Sequence, residues 1–113
     1  MSSYNLDEVK EMAGGDEEFM LVVVQTFLEE IPPDVAAMNE AIGNDNPSLA
    51  YQFAHKMKPN LQLFGLNLMD QILIIEAWAK NGKRKNEVPT AADTITKKVD
   101  VAAIALKRDF KLE

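Results

Sequence analysis

Residues 51–65 read Tyr51-Gln52-Phe53-Ala54-His55-Lys56-Met57-Lys58-Pro59-Asn60-Leu61-Gln62-Leu63-Phe64-Gly65. Phe53, Met57, Leu61 and Phe64 recur at helical spacing and, with Ala50 and Ala54 beside them, form an apolar stripe that must face a core. Tyr51, His55, Lys58 and Gln62 recur on a second line of the same helix, so His55, the single histidine of the chain, is expected to point to solvent. Lys58 follows one turn later, close enough for its ammonium to reach an anion carried on the imidazole. Pro59 has no N–H, so the carbonyl of His55 loses its helical partner and a bend is expected there. Gly65 either ends the helix or lets a neighbouring backbone pass closely.

The same period extends outward. Asn5 followed by Glu8 has the form of a capping box, and Leu6, Val9 and Met12 or Ala13 define a short first helix that stops at Gly14-Gly15. Asp16, Glu17 and Glu18 open a second helix, with acidic side chains against the positive end of its dipole. Its stripe of Met20, Val24, Phe27, Ile31, Val35, Met38 and Ile42 keeps its phase across Pro32 and Pro33. A helix broken by the prolines would be free to restart in any register, so one long kinked helix up to Gly43 is expected. Asn46 and Pro47 then cap and start the third helix, which carries His55.

A fourth helix is expected from Gly65 or Asn67, with a wide apolar face of Leu66, Leu68, Met69, Ile72, Leu73, Ile74, Ile75 and Trp78. Such a face needs cover on more than one side, which the last helix or a partner would supply; the last helix is favoured. After Gly82 and the polar run Lys83-Arg84-Lys85-Asn86-Glu87, Pro89 and Thr90 with Asp93 mark the start of a fifth helix. Ala92, Ile95, Val99, Ala102, Leu106 and Phe110 form its stripe. No strand-like alternation competes. The reading is all-α: an antiparallel four-helix bundle with a short extra N-terminal helix across one end, one domain over residues 1–113.

Composition narrows the function. The chain has no cysteine and one histidine, which excludes disulfides and thiolate metal sites; a dedicated zinc or iron site would have to rest mainly on carboxylates and is not expected. Twelve basic against eighteen acidic residues give a net charge of −6, the wrong sign for gathering a phosphate backbone, so nucleic acid is not an expected partner. Lys80, Lys83, Arg84 and Lys85 read as a short solvated basic loop. No apolar run is long enough to span a membrane and the first residues lack leader features, so a soluble, cytoplasmic, monomeric protein is expected.

A lone surface histidine is by itself an ordinary polar residue. Ala54-His55-Lys56-Met57-Lys58, with Gly65-Leu66 ten residues after the histidine, resembles the phosphoacceptor motif of histidine phosphotransfer (HPt) domains. The order of helices extends the resemblance over nearly the whole chain. The family pattern has Gly and a small residue after the lysine, where this chain has Pro59 and Asn60. The resemblance implies an HPt-like bundle in which His55 takes a phosphoryl group from a receiver-domain aspartate and passes it on. Lys58 would stabilise the phosphoryl oxygens and Lys56 would be a possible helper, although Lys56 is turned away from His55 on the helix.

The resemblance further implies a polar side chain from the facing helix on the second ring nitrogen; counting along an antiparallel fourth helix lands near Glu76, while the usual family spacing lands on Ala77. Glu76 is the candidate. Expected partners are a response-regulator receiver domain and a sensor or hybrid histidine kinase, with Tyr51, Pro59, Gln62 and Met12 on the docking surface and Gly65 structural. No cofactor is expected in this chain; magnesium would belong to the receiver.

No glycine-rich phosphate loop is present, so the chain reads as a phosphoryl carrier without autonomous kinase activity. The competing reading is a helical adaptor that holds receiver domains without accepting phosphate, with Pro59 and Asn60 as marks of lost transfer. A hydrolase would need a base and a water site beside His55, for which the sequence offers only Glu76.

Overall fold

The two glycines, the Asn-rich turn and the helix-stopping Gly65 and Gly82 divide the chain into five helices, and a computed structural model, which describes residues 3–112, has them in that order. They are α1 (Asp7–Ala13), α2 (Glu17–Gly43), α3 (Pro47–Leu63), α4 (Met69–Asn81) and α5 (Val88–Phe110), with a 3₁₀ turn at Lys85–Glu87 before α5. No strand occurs among the described residues. The reading of Met1 and Ser2 as free of leader features falls outside them.

The helices pack antiparallel. α2 lies against α3 and α5, and α4 lies against the same two, so each long helix has two neighbours and the apolar stripes meet in one core. Val24, Phe27, Ile31, Val35 and Met38 from α2, Met57 and Leu61 from α3, and Ile95, Val99 and Leu106 from α5 are all buried. Phe27 stacks on Phe64 with ring centroids 4.3 Å apart, which locks the α2–α3 pair near the end of α3. α2 runs unbroken through Pro32 and Pro33 and α3 through Pro59. Among the described residues, no helix is long and apolar enough to cross a membrane.

The helix ends follow local chemistry. Asp16 Oδ1 accepts the amides of Glu18 and Phe19 to start α2, and Asn46 Oδ1 accepts that of Leu49 to start α3. Three starts differ from the sequence reading. Asn5 accepts only the amide of Asp7, and α1 begins there rather than in a full capping box with Glu8. α4 begins at Met69, not at Gly65 or Asn67. The chain first closes α3 with a left-handed Gly65, the amide of Leu66 returning to the carbonyl of Leu61, and Asn67 is also left-handed at φ 53°. Leu66 and Leu68 are therefore core residues of a connection, while Leu73 on α4 stays exposed. α5 begins at Val88, with Pro89 in its first turn; the carbonyl of Thr90 is already inside the helix and accepts from the Thr94 hydroxyl.

Trp78 is buried within the chain, with α5 packed on α4, so its cover is internal. The segment before α1 is strapped across the α3–α4 connection. The Asn5 amide donates to the Phe64 carbonyl at 2.8 Å, and the Tyr4 hydroxyl donates to the Asp109 carboxylate at the end of α5. Burial first, and then the bond to Asp109, push the Tyr4 phenol up to about 12.

Candidate functional site

His55 lies midway along α3 with its side chain exposed. Tyr51, one turn earlier on the same face, is half-buried; its ring centroid lies 5.6 Å from the imidazole and its hydroxyl 3.5 Å from His55 Nδ1. The antiparallel packing of α3 on α4 brings Glu76 alongside, and the Tyr51 hydroxyl donates to Glu76 Oε2 at 3.2 Å. Glu76 Oε1 in turn pairs with Lys80 Nζ at 3.5 Å, and the same ammonium sits 5.3 Å from the Tyr51 ring centroid. The four side chains form one connected cluster from Lys80 to the imidazole.

The two lysines flanking His55 differ in their surroundings. Lys56 Nζ pairs at 3.1 Å with Asp34 Oδ1 on α2, a carboxylate whose side chain is only 10% exposed. Its charge is committed to the α2–α3 contact. Lys58 is half-buried and makes no ion pair among the described residues. It lines a groove of about 280 Å³ between α3 and α4, together with Leu61, Gln62, Asn67, Met69 and Ile72. An ammonium one turn from the histidine is thus available to an anion.

Chain comparisons come out blank. No family model, no curated protein and no solved structure matches this sequence.

Among the remaining residues singled out in the sequence, Gln62 and Pro59 are exposed on α3 beside the groove and the histidine turn. Met12 is exposed on α1, whose main packing partner is α2, so it stands apart from the His55 cluster. Gly65 both ends α3 and admits the Asn5 backbone: a Cβ built on it would lie 2.7 Å from Asn5 Cβ. Glu76 reaches His55 through Tyr51 rather than directly.

Two members of this region escaped the sequence reading. Asp34 falls between Ile31 and Val35 on the buried line of α2, and a carboxylate in that register is the signal for a partner such as Lys56. Lys80 belongs to α4, not to the basic loop, and its spacing from Glu76 is that of a helical ion pair.

Chemically, the arrangement offers an exposed imidazole as nucleophile and an unpaired ammonium for an anion. A phenol–carboxylate pair lies on the Nδ1 side of the ring.

Proposed function

We propose that this chain is a histidine phosphotransfer protein, an HPt-like four-helix bundle that carries a phosphoryl group on His55 between receiver-domain aspartates. The observation that carries the reading is the exposed His55 at the middle of α3 with the uncommitted Lys58 one turn on, set in the Ala54-His55-Lys56-Met57-Lys58 motif. Lys56, bound to Asp34, supports the α2–α3 packing.

His55 Nε2 attacks the phosphorus of an aspartyl phosphate. The new N–P bond forms as the P–O bond to the aspartate breaks, and the aspartate leaves as a carboxylate. Such a step asks for in-line positioning and for cations on the phosphoryl oxygens, the part given to Lys58. The reverse step hands the group to the next receiver. The groove between α3 and α4, with Gln62 at its edge, supplies a docking surface continuous with Lys58.

Pro59 and Asn60, one turn past the histidine, favour a second reading, a helical adaptor that holds a receiver without accepting phosphate. Labelled phosphate offered from a phosphorylated receiver separates the two. A carrier takes acid-labile, base-stable label that vanishes in His55→Gln. An adaptor takes none across several receivers while its fold is intact.

A further inference from the structure

The Tyr51 hydroxyl has one proton and two neighbours that want different things from it. Glu76 Oε2 at 3.2 Å belongs to a carboxylate, which can only accept when ionised, whereas His55 Nδ1 at 3.5 Å accepts or donates according to its tautomer. The shorter, charge-assisted bond is the stronger of the two, so the phenol proton points to Glu76. The oxygen then faces Nδ1 with lone pairs. An Nδ1 without a proton would set lone pair against lone pair; an Nδ1–H completes a chain from imidazole to phenol to carboxylate. Lys80, ion-paired at 3.5 Å with the other oxygen of Glu76 and placed over the Tyr51 ring, holds both members of that chain from α4.

We propose that Tyr51, anchored by Glu76, is a positioning residue that holds His55 in the Nδ1–H tautomer and leaves Nε2 as the free nucleophilic nitrogen. Its consequence for rate rests on the phosphotransfer reading; the tautomer is a property of the unmodified protein. During transfer the ring gains positive charge as the N–P bond forms, and the proton stays on Nδ1. The chain to the Glu76 carboxylate stabilises that charge, and the Nδ1–Tyr51 bond tightens as it develops.

The test uses the fact that His55 is the single histidine, so one imidazole spin system appears in a ¹⁵N-detected spectrum of the whole protein. With the ring neutral, the wild type should have the Nδ1–H pattern. Tyr51→Phe keeps the ring and its packing but deletes the relay, and Glu76→Ala frees the phenol proton to turn towards Nδ1. Both should move the signals towards the Nε2–H pattern that a free histidine side chain favours. Thermal midpoints, followed alongside, identify any variant that has lost its fold, and Tyr51→Phe is the variant expected to keep it.

Labelling of Tyr51→Phe by a phosphorylated receiver should slow by about three- to tenfold, in proportion to the lost population of the competent tautomer. An Nε2–H wild type, or a tautomer unchanged in folded Tyr51→Phe, overturns the proposal. A wild type that has the Nδ1–H form but never takes label removes the phosphotransfer reading and leaves the Tyr51 assignment standing.

Discussion

Replacing Gly65 by alanine tests how the N-terminal strap meets the α3–α4 connection. Gly65 has φ +68°, and an alanine Cβ there would lie 2.7 Å from Asn5 Cβ, 3.4 Å from its amide nitrogen and 3.5 Å from its Cα. Two costs should add. The left-handed backbone costs an alanine ~1–2 kcal/mol. The contact is with the root of a side chain, so it cannot swing away, and the strap must retreat. The 2.8 Å bond from the Asn5 amide to the Phe64 carbonyl then weakens or breaks, worth ~1 kcal/mol, and the buried Leu6 next to it is dislodged. The sum is about 2–3 kcal/mol.

Gly82 is the internal control. It ends α4 at φ +63° with nothing within 4 Å of its would-be Cβ, so Gly82→Ala should cost only the backbone part, about 1–2 kcal/mol. Urea unfolding followed by the fluorescence of Trp78, the single tryptophan and a buried one, reads both variants. Asn5→Gly removes the opposing Cβ, so Gly65→Ala should cost less in that background. Equal losses for the two glycine variants, or no coupling between positions 5 and 65 beyond about 0.5 kcal/mol, would refute the close-approach argument.

Lys58→Ala should slow labelling by about tenfold or more with stability nearly unchanged, because it removes the cation assigned to the phosphoryl oxygens. Lys56→Ala should leave the rate within about twofold but lower the unfolding free energy read by urea by ~1 kcal/mol, since Asp34 loses its partner; single-turnover labelling and denaturation of both variants check the division of roles. Pro59→Ala restores an N–H to the His55 carbonyl and should stabilise by ~1–3 kcal/mol, seen as a raised thermal midpoint; an unchanged or lower midpoint would mean that the helix has already relaxed around the proline.

Tyr4 gives a pH prediction. Its folded value is raised from 10.0 to about 12, so its stabilising contribution is complete below about pH 10 and is lost as pH rises through about 12. Asp109 is depressed, first by the Tyr4 hydroxyl and then by Arg108, so its contribution is present above the ordinary carboxylate range and is lost as pH falls through the folded value. Tyr4→Phe should flatten the alkaline loss and reduce the acid one, and urea midpoints measured across both windows would detect either failure.

Helix number and order were legible in the sequence, because an apolar stripe that keeps its phase reports a continuous buried face whatever it packs against. The stripe of α2 through Pro32 and Pro33 is the clearest case: loss of two amide donors did not outweigh burial of Ile31, Val35 and Met38. Capping by Asp16 and Asn46 was equally local, one carboxylate or amide oxygen reaching amides two or three residues on. The starts of α4 and α5 were less legible. Gly65 and Asn67 both take left-handed backbone to finish α3, and that delays α4 by a geometry no single residue announces.

His55 and Lys58 could be singled out from one helix's spacing and from the motif around them. The environment of each could not, because it is assembled from segments distant in sequence. Helical spacing already puts Lys58 on the line of His55 and turns Lys56 away, but only the neighbouring α2 commits the Lys56 charge, by placing Asp34 against it. Tyr51 and Glu76 are 25 residues apart, joined by antiparallel packing of α3 on α4. Periodicity determined which faces are buried, since that depends on the chain's own repeat. Tertiary structure alone decided which charge is neutralised, which stays free and which side of the imidazole meets a hydrogen-bond partner, because those depend on distances between helices.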